Sequence, residues 1–340
     1  MSIPSKETGG PADSLRAKSD TTPVIMAIAS NLAVVVAGTG RRIARQWSNQ
    51  ARLCGPRAVG RGRISTRQRV PAADGAEIVL DSTGTGPGIV VVHGGGVTIE
   101  MYRRLASRFT MHLYNRRGRA DAAARAEPYD GEQDIGDLAT LLTHTGACNV
   151  IGHSGGGFIA LRAAARRLPI SRLALYDPAV QINGLSPAGW LPAAQQSART
   201  GDIARATALT SAGINTHSAA SRLPLGLQVA ICRLFIRTPI GRTMGELLPT
   251  SLDESALIHR HDGPPERWSG IDAEVLLAYG ADGPPYYPPI IEALARVMPH
   301  ARTLTVPRAG HDALNRAPRH LTDALAEFFT APVTSAPPDA

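Results

Sequence analysis

The chain has 340 residues, of which 43% are apolar and 19% charged, with a formal net charge of +8. That length and apolar content suit one large folded domain or two ordinary ones, and they exclude a wholly disordered or collagen-like chain. The charge is confined to one end: residues 1–70 hold 12 Lys+Arg against 3 Asp+Glu, while residues 71–340 hold 24 against 25. It therefore does not mark the main body as a nucleic-acid binder.

Residues 1–23 are polar and rich in Ser, Thr, Gly and Pro, a composition expected to stay disordered. Residues 24–38 (VIMAIASNLAVVVAG) form a short apolar run. A spanning helix needs about 20 apolar residues, and a signal peptide carries its positive charge before the apolar stretch, whereas here Arg41, Arg42 and Arg45 follow it. Membrane tethering through 24–38 is kept as the minor alternative to a cytoplasmic protein. Residues 41–69 carry nine arginines and no acid. Only Trp47 offers a stacking ring, so a solvated tail, or translated upstream sequence, is preferred to a nucleic-acid arm. Segment 1–69 is thus read as an Arg-rich, disordered lead. Cys54, Cys148 and Cys232 lack CxxC spacing, which excludes a disulfide framework and the usual zinc patterns and favours a reducing compartment.

From Val70 onward, β-branched runs alternate with helical patterns, as in βα units around a mostly parallel sheet. Strands are predicted at 76–81, 89–93, 110–115, 149–153, 172–176, 274–279 and 303–306. Helices are predicted at 101–109, 135–145, 155–168, 289–298 and 321–329. The rhythm breaks at 178–270, where Pro-punctuated helical sequence reads as a cap. Its apolar residues Trp190, Leu223, Leu225, Leu227, Val229, Ile231, Leu234, Phe235 and Ile236 are read mainly as core. Its arginines Arg233, Arg237 and Arg242 are read as a solvated face rather than an acidic-substrate site. Residues 331–340 form a Pro/Ala tail, expected to be disordered.

Three motifs carry chemistry. Gly152-His153-Ser154-Gly155-Gly156 fits G-x-S-x-G with a buried strand entering and a helix leaving. Such a turn needs small residues on both sides of the serine and presents its hydroxyl at a helix N-terminus. His93-Gly94-Gly95-Gly96 ends the first strongly apolar strand. There, glycines let backbone N–H groups approach a tetrahedral oxyanion. Gly95 and Gly155 are the expected donors, with Gly94 or Gly96 as alternatives to Gly95. His311, in the loop Pro307–Asp312, follows the last strand and suits a general base. His153 is read as orienting its surroundings. The His259/His261 pair lacks a third ligand, so no metal is expected.

Together these motifs, in this order, resemble the α/β-hydrolase superfamily over about residues 70–330. Tyr114-Asn115-Arg116-Arg117-Gly118-Arg119 is similar to the strand-four exit of that family, with Asn115 where Asp is usual. The resemblance implies a mostly parallel central sheet with helices on both faces, a core at 70–177 and 271–330, and a helical lid at 178–270. It also implies Ser154 as nucleophile, His311 as base and an acid between them. Asp177, ending the strand after the elbow helix, is favoured for that acid. Asp282 is the alternative; it stands one residue before the usual slot, which Gly283 occupies. The function expected is serine-dependent cleavage of a carboxylic ester, lactone or thioester in a small apolar substrate, with no cofactor and no nucleic-acid partner. Acyl transfer or cyclisation, carbon–carbon hydrolysis and a non-catalytic binding module are the competing readings.

Overall fold

A computed structural model describes residues 64–331 of the chain. The readings placed on 1–63 and 332–340, including the apolar run at 24–38, lie outside the described residues. The strands are β1 (Ile64–Pro71), β2 (Glu77–Gly84), β3 (Gly88–Val92), β4 (Thr110–Tyr114), β5 (Asn149–His153), β6 (Arg172–Tyr176), β7 (Glu274–Gly280) and β8 (Ala301–Val306). They form one sheet in the order β1-β2-β4-β3-β5-β6-β7-β8. The β1–β2 and β2–β4 pairs are antiparallel, and every other pair is parallel.

The expected boundary at Val70 falls inside β1, so the sheet begins earlier than the sequence suggested. In this edge strand Val70 is buried while Arg67, Gln68 and Arg69 are exposed, and the two arginines pair with Asp121 and Glu77. Charged side chains on an edge strand discourage further strand pairing. In a plain charge count they look like part of a basic tail.

The central strands are buried on both faces, which explains their continuous apolar runs. In β3, Val90 and Val92 join one core cluster with Leu138, Phe158 and Leu294. Ile89 and Val91 join another, with Tyr102, Leu105 and Phe328. The first face is covered by α1 (Glu132–Thr145) and α2 (Gly155–Ala165). The predicted helix at 101–109 is instead a 3₁₀ segment, Ile99–Ser107. Its buried residues Ile99, Tyr102 and Leu105 recur every third position, and a helix of three residues per turn aligns them along one face.

Between β6 and β7 the chain inserts α3 (Leu191–Arg199), α4 (Ile203–Ile214), α5 (Leu225–Phe235) and α6 (Pro239–Arg260). The insertion has small cores of its own, such as Ala204, Ala208, Ala220, Val229 and Cys232. Two residues of the expected apolar core do not belong to it: Leu227 and Leu234 are 48% and 65% exposed. The reason is rotational, since α5 buries Gln228, Val229 and Cys232 and so turns the other face to solvent. Helix α6 reaches further, and its Leu257 and Ile258 pack into the main core. After β7 come α7 (Tyr287–Val297), then β8, a short α8 (Ala313–Arg316) and the closing α9 (Arg319–Thr330).

Candidate active site

Ser154 stands between the end of β5 and the start of α2 with φ 52° and ψ −125°. A non-glycine residue held there marks a strained turn. The turn is clamped by Ser154 N–H donating to the Tyr176 carbonyl (3.2 Å) and by Ala179 N–H donating to the Ser154 carbonyl (3.0 Å). The glycines two residues to either side are sterically required. A Cβ on Gly152 would lie 2.8 Å from Gly157 Cα, and one on Gly156 would overlap the carbonyl oxygens of Val92 and His93.

His311 lies in the loop after β8, and its Nδ1 meets Asp177 Oδ2 at 2.9 Å. Asp177 is fully buried just past the end of β6. Its other oxygen accepts Gly280 N–H at 3.2 Å. Burial raises the Asp177 carboxyl above its ordinary range, opposed by the hydrogen bond from His311. An ionised carboxylate can only accept, so against ionised Asp177 the His311 Nδ1 carries a proton and donates. Tyr287 stacks on the imidazole with ring centroids 5.8 Å apart.

The alternative acid, Asp282, does not reach His311. Its side chain is exposed, and its backbone N–H donates to the Ala309 carbonyl at 2.9 Å. The β7 exit therefore steadies the histidine loop through main chain, while the carboxylate that meets the imidazole comes from β6.

The glycine loop after β3 is held from several sides. His93 Nε2 accepts Arg116 N–H at 3.0 Å, so its Nδ1–H donates to the Gly94 carbonyl at 2.8 Å. Burial keeps this imidazole neutral, well below its usual range. Gly94 N–H donates to the Tyr102 hydroxyl at 3.2 Å, so that amide is engaged. The Gly95 carbonyl accepts from Arg119 Nε at 3.1 Å. Among the described residues the N–H groups of Gly95 and Gly155 have no partner. They are close neighbours, since a Cβ on Gly155 would lie 3.9 Å from Gly95 N.

Sequence reasoning did not pick out the ionic cluster behind this loop. Arg116, fully buried, pairs with Asp134 at 2.7 Å and Glu254 at 3.2 Å. Arg119 pairs with the same Glu254. Although burial works to raise it, the Arg116 charge holds the Asp134 carboxyl below its usual value. Glu254 comes from α6, so the insertion touches the site with a charged group. A Cβ on Gly95 or on Gly155 would lie 3.1 Å from its Oε2. The arginines were visible in the strand-four exit, but nothing in the local sequence Asp253-Glu254-Ser255 announced their partner.

The remaining candidates have local roles. His259 Nδ1 meets Gln181 Nε2, and His261 Nδ1 meets the Leu257 carbonyl. Among the described residues no group of three His, Cys, Asp or Glu side chains is placed to hold a metal ion. No helix among them is long and apolar enough to cross a membrane.

A family model described as alpha/beta hydrolase matches residues 89–325. A solved alpha/beta hydrolase from Sphaerobacter thermophilus is 28% identical, covers 77% of this chain and 100% of its own, and superposes with a TM-score of 0.64. A thermophilic esterase from Thermogutta terrifontis shares the fold at 23% identity and TM-score 0.56, over 79% of this chain and 100% of its own. A curated relative, the pimeloyl-(acyl-carrier protein) methyl ester esterase of Stenotrophomonas maltophilia, is 34% identical over 100 residues. That match spans 28% of this chain and 38% of the esterase. With its mixed sheet, its helical insertion and the long family match, the chain belongs to the alpha/beta hydrolase family.

Proposed function

We propose that the protein is a serine hydrolase that cleaves a carboxylic ester, lactone or thioester through an acyl-enzyme. The observation that carries this reading is the His311–Asp177 pair at 2.9 Å, set beside the strained Ser154 turn. Ser154 Oγ attacks the carbonyl carbon while His311 Nε2 takes its proton. The buried Asp177 keeps the imidazole in the tautomer that can do so and stabilises the imidazolium that forms. Negative charge gathering on the carbonyl oxygen is met by the N–H groups of Gly95 and Gly155, two donors already oriented before reaction. His311 then returns the proton to the leaving oxygen or sulfur. Water, activated by the same histidine, releases the acid and restores Ser154. The relative's action on a methyl ester supports ester cleavage as the reaction, and the α3–α6 insertion is read as the lid over the site.

A panel of short- and medium-chain esters and lactones, assayed by acid release, tests the proposal. Hydrolysis by the natural chain and its loss in Ser154→Ala are expected. Hydrolysis retained in Ser154→Ala would overturn the serine mechanism. A folded protein inert to the whole panel and to acylating probes would favour a non-catalytic binding module instead.

A further inference from the structure

We infer that Tyr102 and His153 are positioning residues, joined in one directional hydrogen-bond chain that ties the oxyanion loop to the base loop across the nucleophile strand. The inference rests on the serine-hydrolase reading above and adds to it two side chains that act through the groups they hold.

The chain joins two loops, the 3₁₀ segment and the end of β5 at one edge of the sheet. Gly94 N–H, in the loop after β3, donates to the Tyr102 hydroxyl at 3.2 Å. That hydroxyl lies 2.6 Å from His153 Nδ1, at the end of β5. His153 Nε2 lies 2.8 Å from the main-chain carbonyl of His311. The direction of each link follows from elementary valence. A carbonyl oxygen only accepts, so His153 Nε2 must carry a proton. Burial and the nearby His311 keep the ring neutral, far below its usual range. Its Nδ1 is therefore bare and accepts. The Tyr102 hydroxyl, already accepting from Gly94, supplies the proton. Every donor in the sequence Gly94 to Tyr102 to His153 to His311 has one acceptor, and all four residues are buried or nearly so.

Geometry gives this arrangement a use. His153 precedes the nucleophile, and its ring lies 4.8 Å from that of His311, centroid to centroid. Fixing Gly94 N–H on Tyr102 sets the orientation of the loop that carries the Gly95 donor. Fixing the His311 carbonyl sets where the imidazole hangs relative to Asp177. Burial in the 3₁₀ segment locks Tyr102 in place: it is 0% exposed and lies on the stripe formed with Ile99 and Leu105. Displacing such groups by a fraction of an ångström lowers the rate of the chemical step and leaves ground-state binding almost unchanged.

Kinetics on the full chain test the inference. Tyr102→Phe removes the relay hydroxyl and conserves the ring. We expect kcat per folded molecule to fall about tenfold with KM within about twofold. Affinity for an alkyl boronic acid, which mimics the tetrahedral adduct, should fall in step with kcat. His153→Ala should lose more, because both links go. In that background Tyr102→Phe should cost less than it does alone, since its link to His153 is already gone and only its contact with Gly94 N–H is left to lose. If His153→Ala does not fold, His153→Asn, which keeps an acceptor near Nδ1 but gives up the donor to His311, replaces it as the single variant, and kcat should still fall. Histidine ¹⁵N NMR of the unsubstituted protein should show His153 neutral and protonated on Nε2. Undiminished kcat in Tyr102→Phe, a loss confined to KM or to thermal stability, strictly additive losses, or an Nδ1-protonated His153 would each overturn the inference. Failure of the hydrolase reading itself is separate: the unsubstituted protein would then neither hydrolyse esters nor acylate at Ser154.

Discussion

The sheet edge and the helical insertion meet at the same site, but they are built by different means. At the edge, strand ends deliver Ser154, Asp177 and His311 into a close-packed frame in which a Cβ on Gly152 or Gly156 has no room. The insertion packs around small side chains, Ala204, Ala208 and Ala220 among them, and exposes Leu227 and Leu234. It reaches the site through α6, whose Glu254 answers the charges of Arg116 and Arg119. The difference teaches that, under the proposed mechanism, the groups assigned to chemistry and the helices read as a lid are held by different kinds of packing. A close-packed frame holds the candidate triad, and the insertion is tied to that frame through the buried pairs of Glu254 and through Leu257 and Ile258 in the main core.

Substitutions at the two regions should therefore fail in different ways. The largest effect belongs to the edge. Asp177→Asn should lower kcat by about four orders of magnitude, as loss of the orienting carboxylate does in other triads. Asp282→Asn should stay within about twofold of the parent. Steady-state kinetics on both variants would break the assignment if their order were reversed. The same carboxylate shapes the acid side of the pH profile. Burial raises its pKa, so the ionised form that activity requires is lost as pH falls through that raised value. An activity plateau that holds down to the pH where an ordinary exposed aspartate protonates would contradict this.

At the junction, Glu254→Gln removes the one carboxylate paired with Arg119 among the described residues and one of the two paired with Arg116. Removing one partner of a buried pair costs about 3 kcal/mol, to be read as a fall in denaturation midpoint. We expect KM to rise more than kcat falls, because the insertion and not the triad is loosened. An equal effect on kcat would merge the two regions into one functional unit. The smallest effect is predicted on the insertion's outer face. Leu234→Ser, at a side chain 65% exposed, should change stability by less than about 0.5 kcal/mol, and a larger loss would mean that this face is covered in solution.

Legibility in the sequence followed the same division. The parallel strands could be read because burial on both faces demands unbroken runs such as Ile89-Val90-Val91-Val92. The elbow could be read because its steric demand falls on glycines. Asp177 was favoured over Asp282 but not fixed, since both follow strands whose ends are neighbours in the sheet. Only the side-chain direction separates them: Asp177 turns in to His311, and Asp282 turns out while its amide holds Ala309. Strand β1 hid behind its arginines, because an exposed edge strand and a basic tail have the same composition. Tyr102 was not singled out, since Gly94 and His153, which meet its hydroxyl, are 8 and 51 residues away in sequence. Long-range polar pairs of this kind leave no periodic trace.

The central claim is that Ser154 carries the acyl group. Rapid quenching of the protein during turnover of an activated ester, followed by peptide mass spectrometry, tests it most directly. The account predicts one acyl adduct per molecule, on the Ser154 hydroxyl, absent in Ser154→Ala and accumulating when deacylation is slow. Turnover with no adduct on that peptide, or with the adduct on another side chain, would contradict it.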